Sequence, residues 1–202
     1  QFGIKTQQEK ADISLALQQR MHKAISVIQF KIEGQLAGEN PEFGMNGRCL
    51  LDQIDYETNQ IRIDGKQYEL LDGRFPPIDP AEPYALSEQE KNVMERLTRA
   101  FKNCEKLQKH VKFLLKKGSL YKVYNGNLLY HGCVPMNEDG SFMEVPVYGQ
   151  TYHGKALYDV LEQYVRKAFF SMEEEDKERG RNILWFLWSA PGSPLYGRIM
   201  MA

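Results

Sequence analysis

The sequence predicts a mixed α and β fold of the α+β class, and three observations lead to that prediction. Apolar residues recur every three or four positions along two long segments, as they do on the buried face of an amphipathic helix. Two short segments of alternating character each enclose an Asp-Gly or Asn-Gly pair, which is typical of a tight β-hairpin. Of the 202 residues, 42% are hydrophobic and 26% are charged, an ordinary balance for about one globular domain.

Two long amphipathic segments predict a helical layer. The first helix is expected from about Asp12 to Glu33, with Gly34 as its C-terminal cap. The second is expected to run unbroken from Ser87 to Lys117, because its apolar residues keep helical spacing throughout, and Gly118 should end it. Ser87 and Glu90 have the spacing of a capping box. We expect the two helices to pack together through their apolar stripes.

A small β-meander, over about residues 48–72, is expected as an excursion from this layer. Residues 49–56 are rich enough in Leu, Ile and Tyr to predict a strand. The Asp-Gly pair at 64–65 supplies the positive φ angles of a type I′ turn and predicts a hairpin. A second hairpin is predicted around the Asn-Gly pair at 125–126.

The last third of the chain predicts one more helix and one more strand. Lys155–Phe170 has an apolar stripe with helical spacing. Ile183–Trp188 is apolar at every position, the pattern of a strand that is covered on both faces. We therefore expect this strand at the centre of a sheet, near the strand at Leu128–Tyr130.

Charge and cysteine content limit the partners and the compartment. Lys and Arg total 26 and Asp and Glu total 27, so the formal net charge is −1 and predicts neither nucleic acid nor an anionic membrane as partner. Apolar runs are too short to span a bilayer, and the first residues lack the apolar core of a secretory signal. The three cysteines are far apart and odd in number, which favours free thiols in the cytoplasm.

His131 is the residue that most strongly suggests chemistry. It ends the apolar segment LLYHG, and the glycine after it permits close approach of another backbone. A histidine in that position can direct an imidazole nitrogen at a metal ion. The alternative is a hydrogen-bonded core histidine with a structural role only. The sequence contains no P-loop, no Rossmann glycine motif and no nucleophile elbow.

Four segments closely resemble the bacterial class III fructose-1,6-bisphosphatases, and together they run through essentially the whole chain. The family's own chain is much longer, so the resemblance implies an internal section of it. The segments are MHKAISVIQFKIEGQ at 21–35, KLQKHVKFLLKKGSLY at 106–121, NGNLLYHGCVPMNEDGSF at 125–142 and ILWFLWSAPGSPLYGRIMM at 183–201.

That family is similar to the calcineurin-like metallophosphatases, which have a β-sandwich core, outer helices and a two-metal centre. Their metal motifs run in the order DxH, GDxxDRG, GNH[DE], a His-Gly at a strand end and a later GH. His131-Gly132 resembles the fourth motif, which implies that His131 is a metal ligand. The tetrapeptide at 188–191 resembles the WSDP segment, with Ala190 in place of the aspartate. The other motifs are expected upstream and downstream of this chain.

The resemblance implies a hydrolase that removes the 1-phosphate of fructose 1,6-bisphosphate in gluconeogenesis, with two Mn²⁺ ions as cofactors. Lys155 and Arg198 follow the resembling motifs and are candidate phosphate-binding residues; the alternative for each is an ordinary surface charge. Residues 1–118 are expected to form the helical layer with its β-hairpin insertion, and 119–202 part of the metallophosphatase core.

Two further functions stay open at this point. The chain could be a non-catalytic subdomain used for assembly, or the substrate could be a phosphoprotein instead of a sugar bisphosphate. Since the resemblance supplies one ligand of several, we expect this chain alone to be inactive and to carry no stoichiometric manganese.

Overall fold

The computed structural model describes residues 7–71, 73, 75 and 78–196, with the side chains of the first helix described from residue 15 onward. Within this part of the chain the elements are five α-helices and three small antiparallel sheets, which confirms the mixed α and β prediction. The helices are α1 (Gln7–Glu39), α2 (Glu88–Lys102), α3 (Glu105–Lys117), α4 (Gly154–Phe170) and α5 (Glu174–Ser189). The strands are β1 (Ile54–Asp55), β2 (Gln60–Ile63), β3 (Lys66–Glu69), β4 (Tyr121–Tyr124), β5 (Asn127–Tyr130), β6 (Val145–Val147) and β7 (Gln150–Tyr152).

The chain divides into two compact units. Unit 1 comprises the described part of residues 1–35 together with Arg48–Asn92, and unit 2 comprises Leu36–Gly47 together with the described part of residues 93–202. The predicted division between residues 118 and 119 stays a prediction. No helix in the described residues is long and apolar enough to cross a membrane.

Unit 1 has a small mixed core on one side of α1. Val27, Leu51 and Ile78 are buried together, and the aromatic rings of Phe30 and Tyr84 pack against them. Beside this cluster the Lys31 side chain is 0% exposed. Its Nζ lies 2.8 Å from Oε2 of Glu90, at the start of α2. The core of unit 1 therefore combines apolar contacts with a buried ion pair.

The end of α1 differs from the prediction. The helix continues past Gly34 to Glu39, so Gly34 is not its C-terminal cap. The ring of Tyr84 explains this glycine, because a Cβ added at residue 34 would lie 2.1 Å from Cδ1 of Tyr84. The predicted apolar stripe is buried at Ile28 but exposed at Leu17.

The β-meander forms, with one correction. Asp64 and Gly65 have φ angles of 50° and 76°, which confirms the hairpin between β2 and β3. Residues 49–56 are not one strand: Leu51–Gln53 is a 3₁₀ turn and only Ile54–Asp55 pairs with β2. The buried side chain of Leu51 belongs to the core cluster, and this contact competes with an extended backbone at that position.

The predicted single helix at 87–117 is wrong. It is divided into α2 and α3 at Asn103 and Cys104, and Cys104 has an extended backbone with ψ 96°. Both residues have low helix propensity, and the side chain of Gln108 donates to the carbonyl of Phe101 across the break. The exposed side chain of Phe101 indicates that little packing opposes the break at this position.

The two predicted ends of this segment are confirmed. The Ser87 N–H donates to Oε2 of Glu90 at 2.7 Å, and the Glu90 N–H donates to Oγ of Ser87 at 3.3 Å, which is a reciprocal capping box. At the other end the Gly118 N–H donates to the carbonyl of Leu114 at 2.6 Å.

Unit 2 is built on the contact between α4 and α5. The helix predicted at Lys155–Phe170 is confirmed, and its Leu157 and Leu161 are fully buried. The strand predicted at Ile183–Trp188 is wrong, because these residues form the last turns of α5. Trp188 is 81% exposed, whereas four neighbouring residues are buried: Ile183, Phe186, Leu187 and Ala190.

The buried positions of this segment favour a helix and not a strand. Gly180, Ile183, Leu187 and Ala190 are separated by three or four residues, which is helical spacing. An added Cβ at Gly180 would lie 2.4 Å from the Tyr164 carbonyl oxygen and 2.5 Å from the Ala168 backbone nitrogen. Gly180 therefore allows α5 to approach the backbone of α4 closely, and the apolar residues that follow continue that contact.

Two hairpins complete unit 2. The predicted turn at 125–126 joins β4 to β5, with φ angles of 48° and 75°. Apart from the half-buried Tyr121, the side chains of both strands are exposed, including Leu128 at 55% and Val123 at 63%. The second hairpin of unit 2, β6–β7, was not predicted. Its turn is Tyr148-Gly149, and both residues have positive φ angles.

Candidate functional site

His131 follows directly on the last residue of β5. Its side chain is exposed and lines a largely apolar cavity of about 520 Å³. Leu120, Leu187 and Leu195 form part of the apolar wall, and Glu162 and Arg166 supply polar groups. The exposed side chain does not match the hydrogen-bonded core histidine considered as the alternative, and the choice between a metal ligand and a structural role stays open.

Only glycine fits the position after His131, because of its backbone conformation and a close backbone neighbour. Gly132 has a φ of +91°, and an added Cβ would lie 2.2 Å from the carbonyl oxygen of Pro194. The next residue, Cys133, donates its N–H to that same oxygen at 2.8 Å. The His-Gly turn is thus pressed against the segment that follows α5, as the close approach predicted for the glycine requires.

The segment after α5 is fixed by Ser193. Its hydroxyl donates to the carbonyl of Leu187 at 2.8 Å and accepts from the Leu195 N–H at 3.0 Å. Ser193 and Pro194 are almost completely buried. Ala190, at the position of the aspartate in the resembling tetrapeptide, is fully buried and donates its N–H to the carbonyl of Phe186.

Tyr158 holds the other side of the His-Gly turn. This residue of α4 is 4% exposed, and its hydroxyl donates to the carbonyl of Cys133 at 2.7 Å. Burial is the main cause that raises the pKa of the Tyr158 phenol, so the hydroxyl keeps its proton and remains a donor at neutral pH. Both backbone groups of Cys133 are therefore hydrogen-bonded.

Glu162 and Arg166 join α4 to the connection between α3 and β4. Oε1 of Glu162 accepts hydrogen bonds from the hydroxyl of Ser119 and from the N–H of Leu120. Nη2 of Arg166 lies 3.0 Å from Oε2 of Glu162, and it also donates to the carbonyl of Gly118 at 3.0 Å. Both side chains are engaged in these bonds, so their first role is to hold this wall of the cavity.

Lys155 lies in the first turn of α4 and lines a second, smaller cavity with Tyr121, Tyr130 and Tyr158. Its Nζ contacts Oδ2 of Asp159, and that hydrogen bond is the main cause that raises the Lys155 pKa. The ammonium group therefore stays charged at neutral pH but is balanced by a carboxylate. The structure places Lys155 and His131 in the walls of different cavities.

The donor set around His131 does not make a two-metal centre by itself. Among the described residues, no group of three or more His, Cys, Asp or Glu side chains could hold a metal ion together. Arg198, the other predicted phosphate-binding residue, lies outside the described residues. The ligand role of His131 and the phosphate-binding roles of Lys155 and Arg198 stay predictions.

Sequence reasoning missed Tyr158 and Ser193. Tyr158 sits on the apolar side of a predicted helix, where its ring explains the pattern and nothing marks its hydroxyl. Ser193 stands in a loop beside proline and glycine, where serine is ordinary. The meeting of α4 with the end of β5 gives the Tyr158 hydroxyl its partner, whereas the partners of the Ser193 hydroxyl lie only six and two residues away in the chain.

Comparison with known proteins gives a consistent result. The family described as Firmicute fructose-1,6-bisphosphatase matches residues 1–202. Among curated relatives, proteins named fructose-1,6-bisphosphatase class 3 from Clostridium novyi and Alkaliphilus metalliredigens are 48% and 50% identical, each over 93% of this chain. A protein of the same name from Listeria innocua is 48% identical over 90% of the chain. No solved structure matches.

The chain covers only 28% to 29% of the length of these relatives, so it spans less than a third of each. The match to the family nevertheless runs over the whole of the present sequence, including the His131-Gly132 turn and the segment after α5. The chain therefore belongs to the firmicute fructose-1,6-bisphosphatase family.

Proposed function

We propose that this chain is part of a metal-dependent hydrolase that removes the 1-phosphate of fructose 1,6-bisphosphate, as in gluconeogenesis. The observation that carries the proposal is the His131-Gly132 turn, fixed at a strand end in a chain whose relatives are named fructose-1,6-bisphosphatase class 3. The substrate would be a small sugar bisphosphate.

The β4–β5 hairpin supports the finer fold proposal, a calcineurin-like β-sandwich. An isolated two-stranded ribbon is marginally stable in water, and this one exposes apolar residues along both strands. In the longer polypeptide typical of the relatives, further strands would pair with this ribbon and cover it. His131 would then stand at the end of a strand within a complete sheet.

The cofactor proposed is a pair of Mn²⁺ ions, with His131 as one ligand. An unprotonated imidazole nitrogen is a good ligand for such an ion, but one side chain cannot hold two ions against water. The remaining ligands would come from parts of the longer polypeptide outside this chain. When bound, metal ions of this kind polarise phosphoryl oxygens and acidify a bound water molecule.

Lys155 is proposed as a phosphate-binding residue on the strength of its permanent charge. To bind a phosphate it would have to exchange or share its contact with Asp159. An exposed ion pair of this kind costs little to break, so such an exchange is feasible. The alternative, an ordinary surface pair at i and i+4 on α4, predicts no change in substrate KM when Lys155 is replaced.

The test of the proposed function is His131→Ala in the longer protein. We expect phosphate release from fructose 1,6-bisphosphate to fall by at least roughly 100-fold and bound manganese to fall with it, because a direct ligand is lost. His110→Ala is the matched control, since His110 is an exposed histidine on α3. The 202-residue chain alone should show neither turnover nor stoichiometric manganese.

Two results would reject the proposal. A fully active His131→Ala enzyme would show that the metal lies elsewhere, and turnover by the isolated chain would show that it is already a complete site. Assaying a phosphopeptide beside the sugar bisphosphate distinguishes the phosphoprotein alternative. If neither substrate is hydrolysed, the assembly role becomes the better explanation.

A further inference from the structure

We propose that the exposed apolar side of α5, with the cavity that it lines, is the docking surface for an apolar segment of the longer polypeptide outside this chain. The inference concerns packing. It goes beyond the proposed function, because it depends on neither the metal ion nor the reaction.

Helix α5 carries apolar residues on more than one side, and one of these sides is left exposed. Ile183 and Leu187 are buried, and α5 packs on α4. Leu184 and Trp188 are four positions apart, so they share a face of the helix, and both are exposed. A segment that is apolar at every position from 183 to 188 is typical of a helix covered on several sides. A second covering element is therefore expected.

The exposed face of α5 is apolar only over its last turns. Earlier on that face, Lys177 and Arg181 precede Leu184 by seven and three positions, and both form ion pairs with Glu174. The apolar patch therefore has a charged rim on this side. An exposed apolar patch with a polar rim is typical of a surface on which another polypeptide packs.

The patch continues into the cavity beside His131. Leu184 and Trp188 line this cavity, which has a volume of about 520 Å³. Leu114 of α3 and Leu195, which follows α5, line it as well, and both are exposed. Three parts of unit 2 therefore present apolar side chains to one concave surface.

A small molecule fits this surface less well than a polypeptide segment does. A small-molecule site encloses most of its ligand and directs a few polar groups at it. Trp188 is 81% exposed, so this wall is open. Glu162 and Arg166 are already bonded to each other and to backbone groups of Leu120 and Gly118.

The length of the relatives indicates where the occupant comes from. This chain covers only 28% to 29% of the relatives' length, so most of such a polypeptide lies outside it and is available to cover the patch. Trp188 is the most exposed of the large side chains that line the cavity. Since tryptophan is typical of the centre of a well-packed contact, we expect the occupant to bury Trp188.

The experiment compares Trp188→Ser with Phe113→Ser, each in the longer protein and in the 202-residue chain. Phe113 is the matched control, an exposed aromatic residue of α3 that does not line the cavity. In the 202-residue chain, we expect neither change to move the urea midpoint, because both side chains are exposed. In the longer protein, Trp188→Ser alone should raise the unfolding equilibrium constant, by at least roughly 100-fold, as removal of a packed tryptophan does.

A second measurement leaves the sequence unchanged. Hydroxyl radicals oxidise exposed side chains, and mass spectrometry of peptides gives the oxidation rate at Trp188 relative to the protein unfolded in urea. In the longer protein we expect this rate to be at least roughly 10-fold slower than in the unfolded protein, because the centre of a contact is desolvated. Phe113 should be oxidised at a rate near its unfolded value, and Trp188 should stay reactive in the 202-residue chain.

Three results would overturn the inference. The first is a Trp188 oxidation rate in the longer protein near that of the unfolded protein, whether or not the 202-residue chain folds by itself. The second is protection that appears only as the protein concentration rises, because a second copy then covers the surface. The third is equal destabilisation of both proteins by Trp188→Ser, which would place the contacts of Trp188 within this chain.

Discussion

The two units are built on different kinds of core. In unit 1 a fully buried lysine, Lys31, is stabilised by Glu90, while the apolar cluster beside it is small. In unit 2 the contact between α4 and α5 is apolar and depends on the absence of a side chain at Gly180. A buried charge pair needs both partners, whereas an apolar contact needs the correct volume. Different substitutions should therefore break each unit.

The largest effect is expected from Lys31→Met. This change leaves the Glu90 carboxylate partly buried without its cation, and removal of one partner of a buried pair typically costs about 3–5 kcal/mol. The measurement is the free energy of unfolding in urea. Lys91→Met is the control, because Lys91 pairs with Glu88 at the surface, where an ion pair contributes about 0–1 kcal/mol.

A double variant sharpens this prediction. Lys31→Met with Glu90→Gln removes both charges, and the glutamine keeps a side-chain oxygen for the capping box with Ser87. Because no charge is then left unpaired, we expect most of the lost stability to return. A double variant as unstable as Lys31→Met would show that packing by the lysine stem, and not the charge, stabilises unit 1.

A smaller loss is expected from Gly180→Ala in unit 2. The new Cβ would lie under 3 Å from backbone atoms of α4, which cannot move independently, and such overpacking costs about 1–3 kcal/mol. Gly38→Ala is the matched control on α1, where nothing lies within 4 Å of an added Cβ. Alanine is the better helix former there, so the control should gain up to about 1 kcal/mol. Equal behaviour of the two variants in urea unfolding would contradict this account of the α4–α5 contact.

The smallest effect is the part of the acid sensitivity that arises from Glu90 in unit 1. Burial acts to raise the pKa of the Glu90 carboxyl, but hydrogen bonds from Lys31 and Ser87 outweigh it, and the pKa is lowered from the usual 4.5. A lowered folded-state pKa stabilises folding above the unfolded-state value, and this stabilisation is lost as the pH falls through the folded-state value. We therefore expect the urea midpoint to decrease below about pH 4.5.

The same titration of Glu90→Gln should lack this part of the decrease, because its side chain does not ionise. Glu88→Gln, at the exposed pair with Lys91, should keep it. If Glu90→Gln and the parent chain lose stability in parallel, the acid sensitivity arises from another carboxylate.

Local chemistry was enough to predict several elements of this protein. The Asp-Gly and Asn-Gly turns fix positive φ angles within two residues, and both hairpins formed where expected. The capping box of Ser87 and Glu90 likewise involves neighbours in sequence. The glycine after His131 was correctly expected to permit a close backbone approach, although the sequence did not identify the approaching segment.

Other features of the fold could not be predicted from the sequence, because they depend on contacts with residues far away in the chain. Gly34 is explained by the Tyr84 ring and Gly180 by the backbone of α4, so neither marks a helix end. The apolar segment at 183–188 has the composition of a buried strand, but it forms the last turns of α5, which packs on α4. Tyr158 finds the Cys133 carbonyl 25 residues earlier in the chain. Residue type and spacing by themselves determined the turns and a helix cap, and the resemblance of four segments indicated the family. Long-range burial determined which face of each helix packs and how the His131 turn is held.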